Sequence, residues 1–298
     1  MKSAERASLR SLLVLAALAA VVFLAALLIG SSGIGVRRAL EALGGSGDAA
    51  TRSVLLGVRL PRVLAAFGVG SLLALSGVLL QALFRNPLAD PYVLGVSGGA
   101  AVGTVYALAR GGGTPRLLLT GVVLASACGA LVSVLLALAD TSRVRGMVFW
   151  LAGDLEWAVS PALSAGAAAL AVALAVVVAR PLNVLAAGEL RARTVGLALE
   201  AWRTLLFVAC ATLTALAVVS AGTVGFVGLI TPHAVRLTFR TSDHRVVAPA
   251  AALAGGMLLA AADLVARTIA SPRQLPVGAI MALVGAPLFV ALLRSRGR

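Results

Sequence analysis

The chain contains few charged and few aromatic side chains, and this scarcity excludes a soluble globular protein. Of its 298 residues, 12% are charged and 4% are aromatic, whereas 60% are hydrophobic. Such a small polar fraction cannot cover the surface of a water-soluble globule of this length. The sequence therefore predicts an all-α, polytopic membrane protein.

Acidic residues are the scarcer of the two charged classes, with 11 Asp and Glu against 25 Lys and Arg, and the formal net charge is +14. In a soluble protein this excess would point to nucleic acid. Here the arginines lie in short strips between apolar runs, where the positive-inside bias and anionic lipid headgroups account for them. Since no basic and aromatic platform is present, we expect membrane lipid and no nucleic acid as a partner.

Cysteine and histidine occur only twice each. Cys128 and Cys210 lie inside apolar runs, which favours packing over a disulfide bond. His233 and His244 do not stand in a ligand-rich pattern, so we expect no metal site. The sequence also has no G-x-x-x-x-G-K-[ST] phosphate loop, no H-E-x-x-H motif and no nucleophile elbow. We therefore expect no enzyme and no ATPase site on this chain.

Nine apolar runs predict nine membrane segments. They lie at 9–30, 61–84, 92–109, 117–139, 162–179, 202–221, 224–239, 247–266 and 277–293. The first is longer than the hydrophobic region of a signal peptide, roughly 7 to 15 residues, so we expect a retained span. Arginine strips at both termini should face the cytoplasm, yet nine crossings would separate the termini. The segment count and the charge rule therefore conflict.

Arg59 and Arg62 flank Pro61 at the start of the second run and share one helix face. Their guanidinium groups form a fork suited to carboxylates, although snorkelling to lipid phosphates would explain them equally. Asp263 and Arg267 lie four residues apart in a later run. We expect these two side chains to neutralise each other.

The stretch Asn86 to Pro91 separates two runs, and its two prolines, Pro87 and Pro91, exclude an ordinary helix. A short rigid elbow is predicted. It would serve either as a constriction at the cytoplasmic mouth of a pore or simply as a tight turn.

The polar loop at 181–203 is amphipathic and long enough for two short helices broken at Gly188 and Gly196. A soluble partner docking in the cytoplasm and a helix lying on the membrane surface are both open interpretations. Farther on, three glycines between Gly222 and Gly228 together with Pro232 predict a short, broken membrane segment. Such a segment indicates a pathway or a packed interior.

Together these motifs are similar to those of the FecCD-type permease family. The matching stretches are RLPR at 59–62, SG at 76–77, Gln81, RNPLADP at 85–91, LG at 94–95, PLNVLAAGE at 181–189, GFVGLITPH at 225–233, DHR at 243–245, LPVG at 275–278 and GAP at 285–287. The resemblance implies one transmembrane domain, residues 1–298, of the vitamin B12 permease type, with a cytoplasmic coupling loop at 181–203.

The resemblance also implies a function. The chain would be a permease subunit of an ABC importer in the bacterial cytoplasmic membrane, carrying an iron chelate, with an iron-siderophore favoured over haem or cobalamin. The implied partners are a second permease subunit, in a homodimer or heterodimer, two ATPase subunits that bind ATP and Mg, and a periplasmic or lipid-anchored binding protein. No cofactor is expected on this chain.

By position, the resemblance assigns three groups of site residues. Docking of the binding protein falls to Arg59, Arg62 and Arg267, coupling to the ATPase falls to Gly188, Glu189, Arg191 and Arg193, and the gate region falls to Asn86, Pro87, Leu88, Ala89, Thr114 and Pro115.

Two departures from the family pattern stand out. Such permeases usually have ten crossings, but here the third run passes through residues 110–116 directly into a run that resembles the fifth span, so the fourth is missing. Gln274 also stands where Glu commonly precedes the LPVG stretch, which removes a charge. The alternatives are a secondary transporter driven by an ion gradient and a truncated family member that does not transport.

Overall fold

The computed structural model describes residues 2–91, 114–156, 158 and 160–294. Every regular element in these ranges is helical, which confirms the all-α prediction. The elements are α1 Lys2–Leu28, α2 Val36–Leu43, α3 Ala49–Val54, a π-helical turn Leu55–Arg59, α4 Leu60–Phe84, α5 Thr114–Leu138, α6 Thr141–Leu151, α7 Pro161–Val177, α8 Ala179–Ala186, α9 Glu189–Thr194, α10 Leu199–Ala221, α11 Val227–Phe239, α12 His244–Thr268 and α13 Val277–Arg294.

Four helices of the described residues are long and apolar enough to cross a bilayer. They are Ser8–Leu28, Ala49–Phe84, Leu199–Ala221 and His244–Thr268. A fifth span arises if α7 and α8, which meet at a bend of 66°, are counted as one. The predicted count of nine is therefore not confirmed. The run at 92–109 and the proposed loss of a fourth span fall on residues outside the described part.

The directions of the described helices agree with the charge rule, which places both termini on one side. The end of α1 lies beside Arg59, so α4 returns toward the side where α1 begins. Ser164 in the first turns of α7 packs on Gly68 in the first half of α4. The end of α4 and the beginning of α7 therefore lie on opposite sides. α13 then runs past Phe226, so the start of α1 and the end of α13 lie on one side, which we call cytoplasmic, opposite the outer side.

Helix α4 is the centre of the fold. Its apolar sequence is buried on nearly all sides, as expected for a helix that is hydrophobic all round. It packs against α7, α10, α11 and α12. In lipid no hydrophobic force holds helices together, so this contact depends on close fitting of small side chains.

Glycine pairs let the helix backbones touch at two heights of α4. A Cβ atom on Gly77 would lie 1.9 Å from the carbonyl oxygen of Gly228 in α11. A Cβ atom on Gly70 would lie 2.2 Å from the carbonyl oxygen of Gly255 in α12. Both distances are far shorter than any van der Waals contact, so these positions accept no side chain unless a helix moves.

The segment from Gly222 to α11 is short and broken, as the glycine and proline pattern predicts. Gly222 has a φ of +67° and directly faces the backbone of Trp150, so the chain leaves α10 in a conformation suited to glycine. Pro232 inside α11 has no N–H for the carbonyl of Gly228. The side-chain amide of Gln81 replaces that donor at 3.3 Å, and Arg236 in turn donates to Gln81 Oε1.

A methyl group at Gly77 tests this packing. We expect Gly77→Ala to lower the free energy of unfolding by about 1–3 kcal/mol, because the added Cβ forces α4 and α11 apart. Gly166→Ala in α7 is the matched control, since a Cβ atom added at Gly166 would meet no neighbouring atom of the described residues within 4 Å. Unfolding by SDS in mixed micelles measures both. A Gly77→Ala variant as stable as the wild type would contradict the close contact.

Candidate functional site

An ionic cluster occupies the outer end of the helices. Arg62 in α4 donates two hydrogen bonds to Oδ1 of Asp263 in α12, from Nε at 3.0 Å and from Nη2 at 2.8 Å. Its third nitrogen, Nη1, donates to Gln274 Oε1 at 2.8 Å. Arg267 Nε lies 3.3 Å from the other carboxylate oxygen of Asp263. The predicted pairing of Asp263 with Arg267 is present, and Asp263 serves two arginines at once.

Two arginines of this region close the end of α1. Arg59 Nη1 donates to the carbonyl oxygens of Leu27 at 3.2 Å and Leu28 at 2.6 Å. Arg267 donates to the carbonyl oxygen of Ala26. The last carbonyls of a helix have no partner within the helix and carry its negative dipole end. Arg59 and Arg267 therefore donate hydrogen bonds to these carbonyls and bring positive charge to the negative end of the helix dipole. Both contacts hold α1 against α4 and α12.

The predicted docking arginines thus point inward. Arg59 and Arg267 are each 4% exposed, and the side chain of Arg62 is 10% exposed. The sequence cannot reveal this, because Asp263 is 201 residues from Arg62. Three guanidinium groups and one carboxylate leave the cluster with a net charge of +2, and docking by acidic side chains stays a prediction. Gln274, which the family comparison marks as the loss of a charge, has a role as an acceptor for Arg62.

Removal of the shared carboxylate should be costly. We expect Asp263→Asn to lower the free energy of unfolding by about 3–5 kcal/mol, because it leaves buried guanidinium groups without a counter-charge. Asp140→Asn is the control, since Asp140 and Arg143 form an exposed pair at 3.8 Å, worth about 0–1 kcal/mol. SDS unfolding would compare the two. Equal effects would show that the outer cluster does not hold the helices together.

The cytoplasmic loop folds into two short helices, as predicted. Helix α8 ends at Ala186, Gly188 has a φ of +119°, and α9 ends before Gly196, which has a φ of +73°. Both breaks need a backbone that only glycine adopts without strain. Arg191 and Arg193 are exposed on α9. The loop is therefore a shaped surface and not a plain linker.

Glu189 joins this loop to two other parts of the cytoplasmic end. Its carboxylate forms an ion pair with Arg203 in α10 and a longer one, 3.4 Å, with Arg85 after α4. Arg203 also contacts Glu200 at 3.0 Å. Because Glu189 is the first residue of α9, its charge also suits the positive end of that helix. One side chain thus orients α9 against α4 and α10.

Asn183 forms a second anchor, which the sequence alone does not reveal. Its Nδ2 donates to Asp243 Oδ1 at 2.8 Å, and its Oδ1 accepts from the backbone N–H of His244 at 2.9 Å. Asp243 also caps α12 by accepting from the N–H of Arg245 at 3.0 Å. Burial raises the pKa of Asp243, but the bonds from Asn183 and Arg245 outweigh it and hold the pKa below its ordinary value. The sequence offers one sign of this contact, because Asn183 and Asp243 both lie in stretches that match the family, PLN at 181–183 and DHR at 243–245.

The elbow after α4 is a compact turn. Arg85 ends the helix with a φ of +50°. Asn86 Oδ1 accepts from the N–H of Leu88 at 2.9 Å, and the carbonyl of Asn86 accepts from the N–H of Ala89 at 3.1 Å. Leu88 is left exposed, whereas Pro87 is half-buried. Thr114 and Pro115, which are predicted to form the gate region together with this elbow, are the first residues of α5. Their side chains lie outside the described part.

The fold and these two clusters define a membrane protein of several packed helices whose polar groups meet at the two helix ends. The sequence model of the FecCD transport family matches residues 18–115 and 104–295. The two matched segments overlap near the point where a span is predicted to be missing. The chain belongs to the FecCD transport family and is a transmembrane permease subunit.

Curated relatives include two cobalamin permeases. The chain is 40% identical over 274 residues to the vitamin B12 import system permease protein BtuC of Klebsiella pneumoniae, covering 81% of this chain and 82% of the relative. It is 42% identical over 285 residues to the cobalamin import system permease protein BtuC of Halobacterium salinarum, covering 83% of this chain and 75% of the relative.

Among solved structures, the chain is similar to one described as an inward-facing conformation of a metal-chelate type ABC transporter. The TM-score is 0.80 at 30% identity, with 96% of this chain and 99% of the other covered. A second structure, PsaBC from Streptococcus pneumoniae in complex with Fab, has a TM-score of 0.52 at 16% identity and covers 85% of this chain and 94% of that one. At that identity the likeness concerns the fold alone.

Proposed function

We propose that the chain is the membrane-spanning subunit of an ABC importer that carries a metal chelate across the cytoplasmic membrane. Membership of the FecCD family supports this, as does the similarity to a metal-chelate type ABC transporter. The sequence has no phosphate loop of its own, so separate ATPase subunits that bind ATP and Mg supply the energy. The chain itself acts as a conduit.

The observation that carries this proposal is the form of the cytoplasmic loop. Its two short helices are fastened to the helix ends through Asn183 and Glu189. At the same time Leu190 is 80% exposed and Val195 is 62% exposed. Large apolar side chains held out from a rigidly anchored segment are suited to a protein partner. A soluble ATPase subunit docked on α9 would press on α4, α10 and α12 together.

The outer cluster supports docking of a binding protein. Its net positive charge attracts acidic side chains and steers their approach even where the guanidinium groups are turned inward. The exposed edge of Arg62 is then the contact point, with Arg59 and Arg267 as sources of the field. Docking near Arg62 would compete with Gln274 and Asp263 and so act directly on the end of α12.

A second permease subunit would complete the conduit. Helices α5 and α13 leave large apolar side chains uncovered by the described residues. They include Leu131, Leu135, Leu138, Leu283 and Val284. A partner copy along these helices would enclose a path whose cytoplasmic mouth carries the elbow Asn86 to Ala89 and the start of α5. Leu88 is the exposed side chain of that elbow and is our candidate for the constriction.

For the cargo we propose cobalamin first, because relatives at 40% and 42% identity are named for its import. An iron-siderophore complex, which the sequence resemblance favours, is the second candidate. Both are large chelates. The motifs of this chain are assigned to partner docking, coupling and the gate, and none is assigned to the cargo. The binding protein would therefore decide whether cobalamin or a siderophore is carried.

A secondary transporter fits the contacts less well. Ion-driven transport through a bilayer needs titratable side chains along the path. In the described spans, Asp263 is the one carboxylate beyond the first turn of a helix, and two arginines hold it. A truncated, non-transporting member differs from our proposal in its activity alone, so a measurement of uptake separates the two.

Reconstitution in proteoliposomes tests the proposal. The permease would be co-expressed with candidate ATPase and binding-protein subunits from the same organism, and uptake of radiolabelled cobalamin or ferric siderophore would be followed with and without ATP. We expect ATP-dependent uptake that requires the binding protein. Uptake driven by an ion gradient without ATP would establish the secondary transporter, and no uptake of either chelate would favour the truncated member.

Substitution of the loop should separate ATP hydrolysis from uptake. We expect Gly188→Val to strain the turn before α9 and Glu189→Arg to repel Arg203 and Arg85, so that ATP hydrolysis no longer responds to loaded binding protein. Glu200→Gln is the control, because Glu200 pairs with Arg203 within α10. Stimulated ATPase rates in proteoliposomes measure the effect. Normal stimulation in Glu189→Arg would remove Glu189 from the coupling path.

A further inference from the structure

Helix α12 is fastened at both of its ends and along its length. At 25 residues it spans about 37 Å, from the cytoplasmic loop to the outer cluster. Its first residue, His244, is held by Asn183 of α8. Its last turns carry Asp263 and Arg267. Helix α4 also has an attachment at each end, through Arg85 to Glu189 of the loop and through Arg62 to Asp263 of the outer cluster.

The cytoplasmic attachment is a paired contact. Asn183 donates to Asp243 through its amide nitrogen and accepts from His244 through its amide oxygen, so both ends of the amide group are used. The ring nitrogen Nδ1 of His244 lies 2.6 Å from the same oxygen. We call Asn183, Asp243 and His244 the latch. A paired contact to the capping residue and the first residue of α12 fixes direction as well as distance.

The middle of α12 is packed closely on α4. Gly255 and Gly70 touch backbone to backbone, and a Cβ on Gly256 would lie 2.7 Å from the ring of Phe67. Ser71 in α4 donates to the carbonyl of Ala252 at 2.9 Å. We expect helices packed this closely to move together, since a large slide would make their backbones collide.

The outer attachment continues the chain of contacts. Asp263 binds Arg62 of α4, and Arg267 donates to the end of α1. A displacement of α12 therefore moves Arg267, acts on Arg62 through its bond to Asp263, and reaches Arg59 through the end of α1, which both Arg267 and Arg59 bind. Conversely, a partner that disturbs Arg62 acts on α12 and, through the latch, on α8.

We propose that Asn183 is a positioning residue, and that the latch stays closed throughout the transport cycle so that α12 and α4 carry movement of the coupling loop to the outer arginines as one rigid body. This inference rests on the proposed function, because it assumes that an ATPase moves the loop. It adds a residue and a route that neither the sequence motifs nor the comparisons assign.

The first test asks whether the latch transmits movement of the coupling loop to α12. Asn183→Ala should leave ATP hydrolysis running while chelate uptake per ATP falls by about tenfold, since both bonds of the amide are lost. Thr212→Ala is the matched control, because Thr212 is exposed on α10 and bonds only locally to Val208. Uptake per ATP equal to the wild type in Asn183→Ala would overturn the proposal.

The second test asks whether the latch stays closed. Asn183→Cys and Asp243→Cys would be combined with Cys128→Ser and Cys210→Ser, and joined by a short bis-methanethiosulfonate crosslinker that a reductant cleaves. We expect normal uptake per ATP while the crosslink is present and the Asn183→Ala level after cleavage. A crosslink that blocks uptake would show that the latch must open, which overturns the proposal.

The third test needs no cargo and so separates this inference from the proposed function. Amide hydrogen exchange would be measured on the permease alone in nanodiscs. We expect Asn183→Ala to raise exchange at residues 244–247 and also at residues 29–32, beyond the α1 end that Arg59 and Arg267 hold. A rise confined to 244–247 would mean a local structural role only and would overturn the transmission route.

Discussion

A polar group at membrane depth has no water to bond with, and this constraint governs the structure. Two breaks in helical regularity are matched by a donor from another element. Gln81 supplies the bond that Pro232 cannot make, and Arg59 meets the open carbonyls of α1. The helices can therefore be short, bent or interrupted without leaving bare backbone in lipid. The same bonds decide which helices move as one.

The placement of long helices could be predicted from the sequence because apolar length alone determines it. The runs at 61–84 and 247–266 correspond to α4 and α12 within a few residues. The breaks at Gly188 and Gly196 could also be predicted, since both have a positive φ that favours glycine. Local residue types were sufficient in each of these cases.

The contacts of the site could not be predicted, because their partners lie far apart in the chain. Arg62 and Asp263 are 201 residues apart, and Asn183 and Asp243 are 60 apart. The sequence predicts an open fork at Arg59 and Arg62, but a single sequence gives no sign that a carboxylate from another helix already fills it. The bend between α7 and α8 falls where the apolar run at 162–179 ends, but its angle of 66° cannot be read from the sequence.

The bond from Arg267 to Ala26 has a consequence for how the protein is made. These residues are 241 positions apart, so the end of the first helix leaves the ribosome long before its partner is synthesised. Until α12 enters the bilayer, that helix end has only Arg59 and lipid headgroups to complete it. The end of the first helix therefore gains its bond from Arg267 only after α12 has been inserted, late in the synthesis of this subunit.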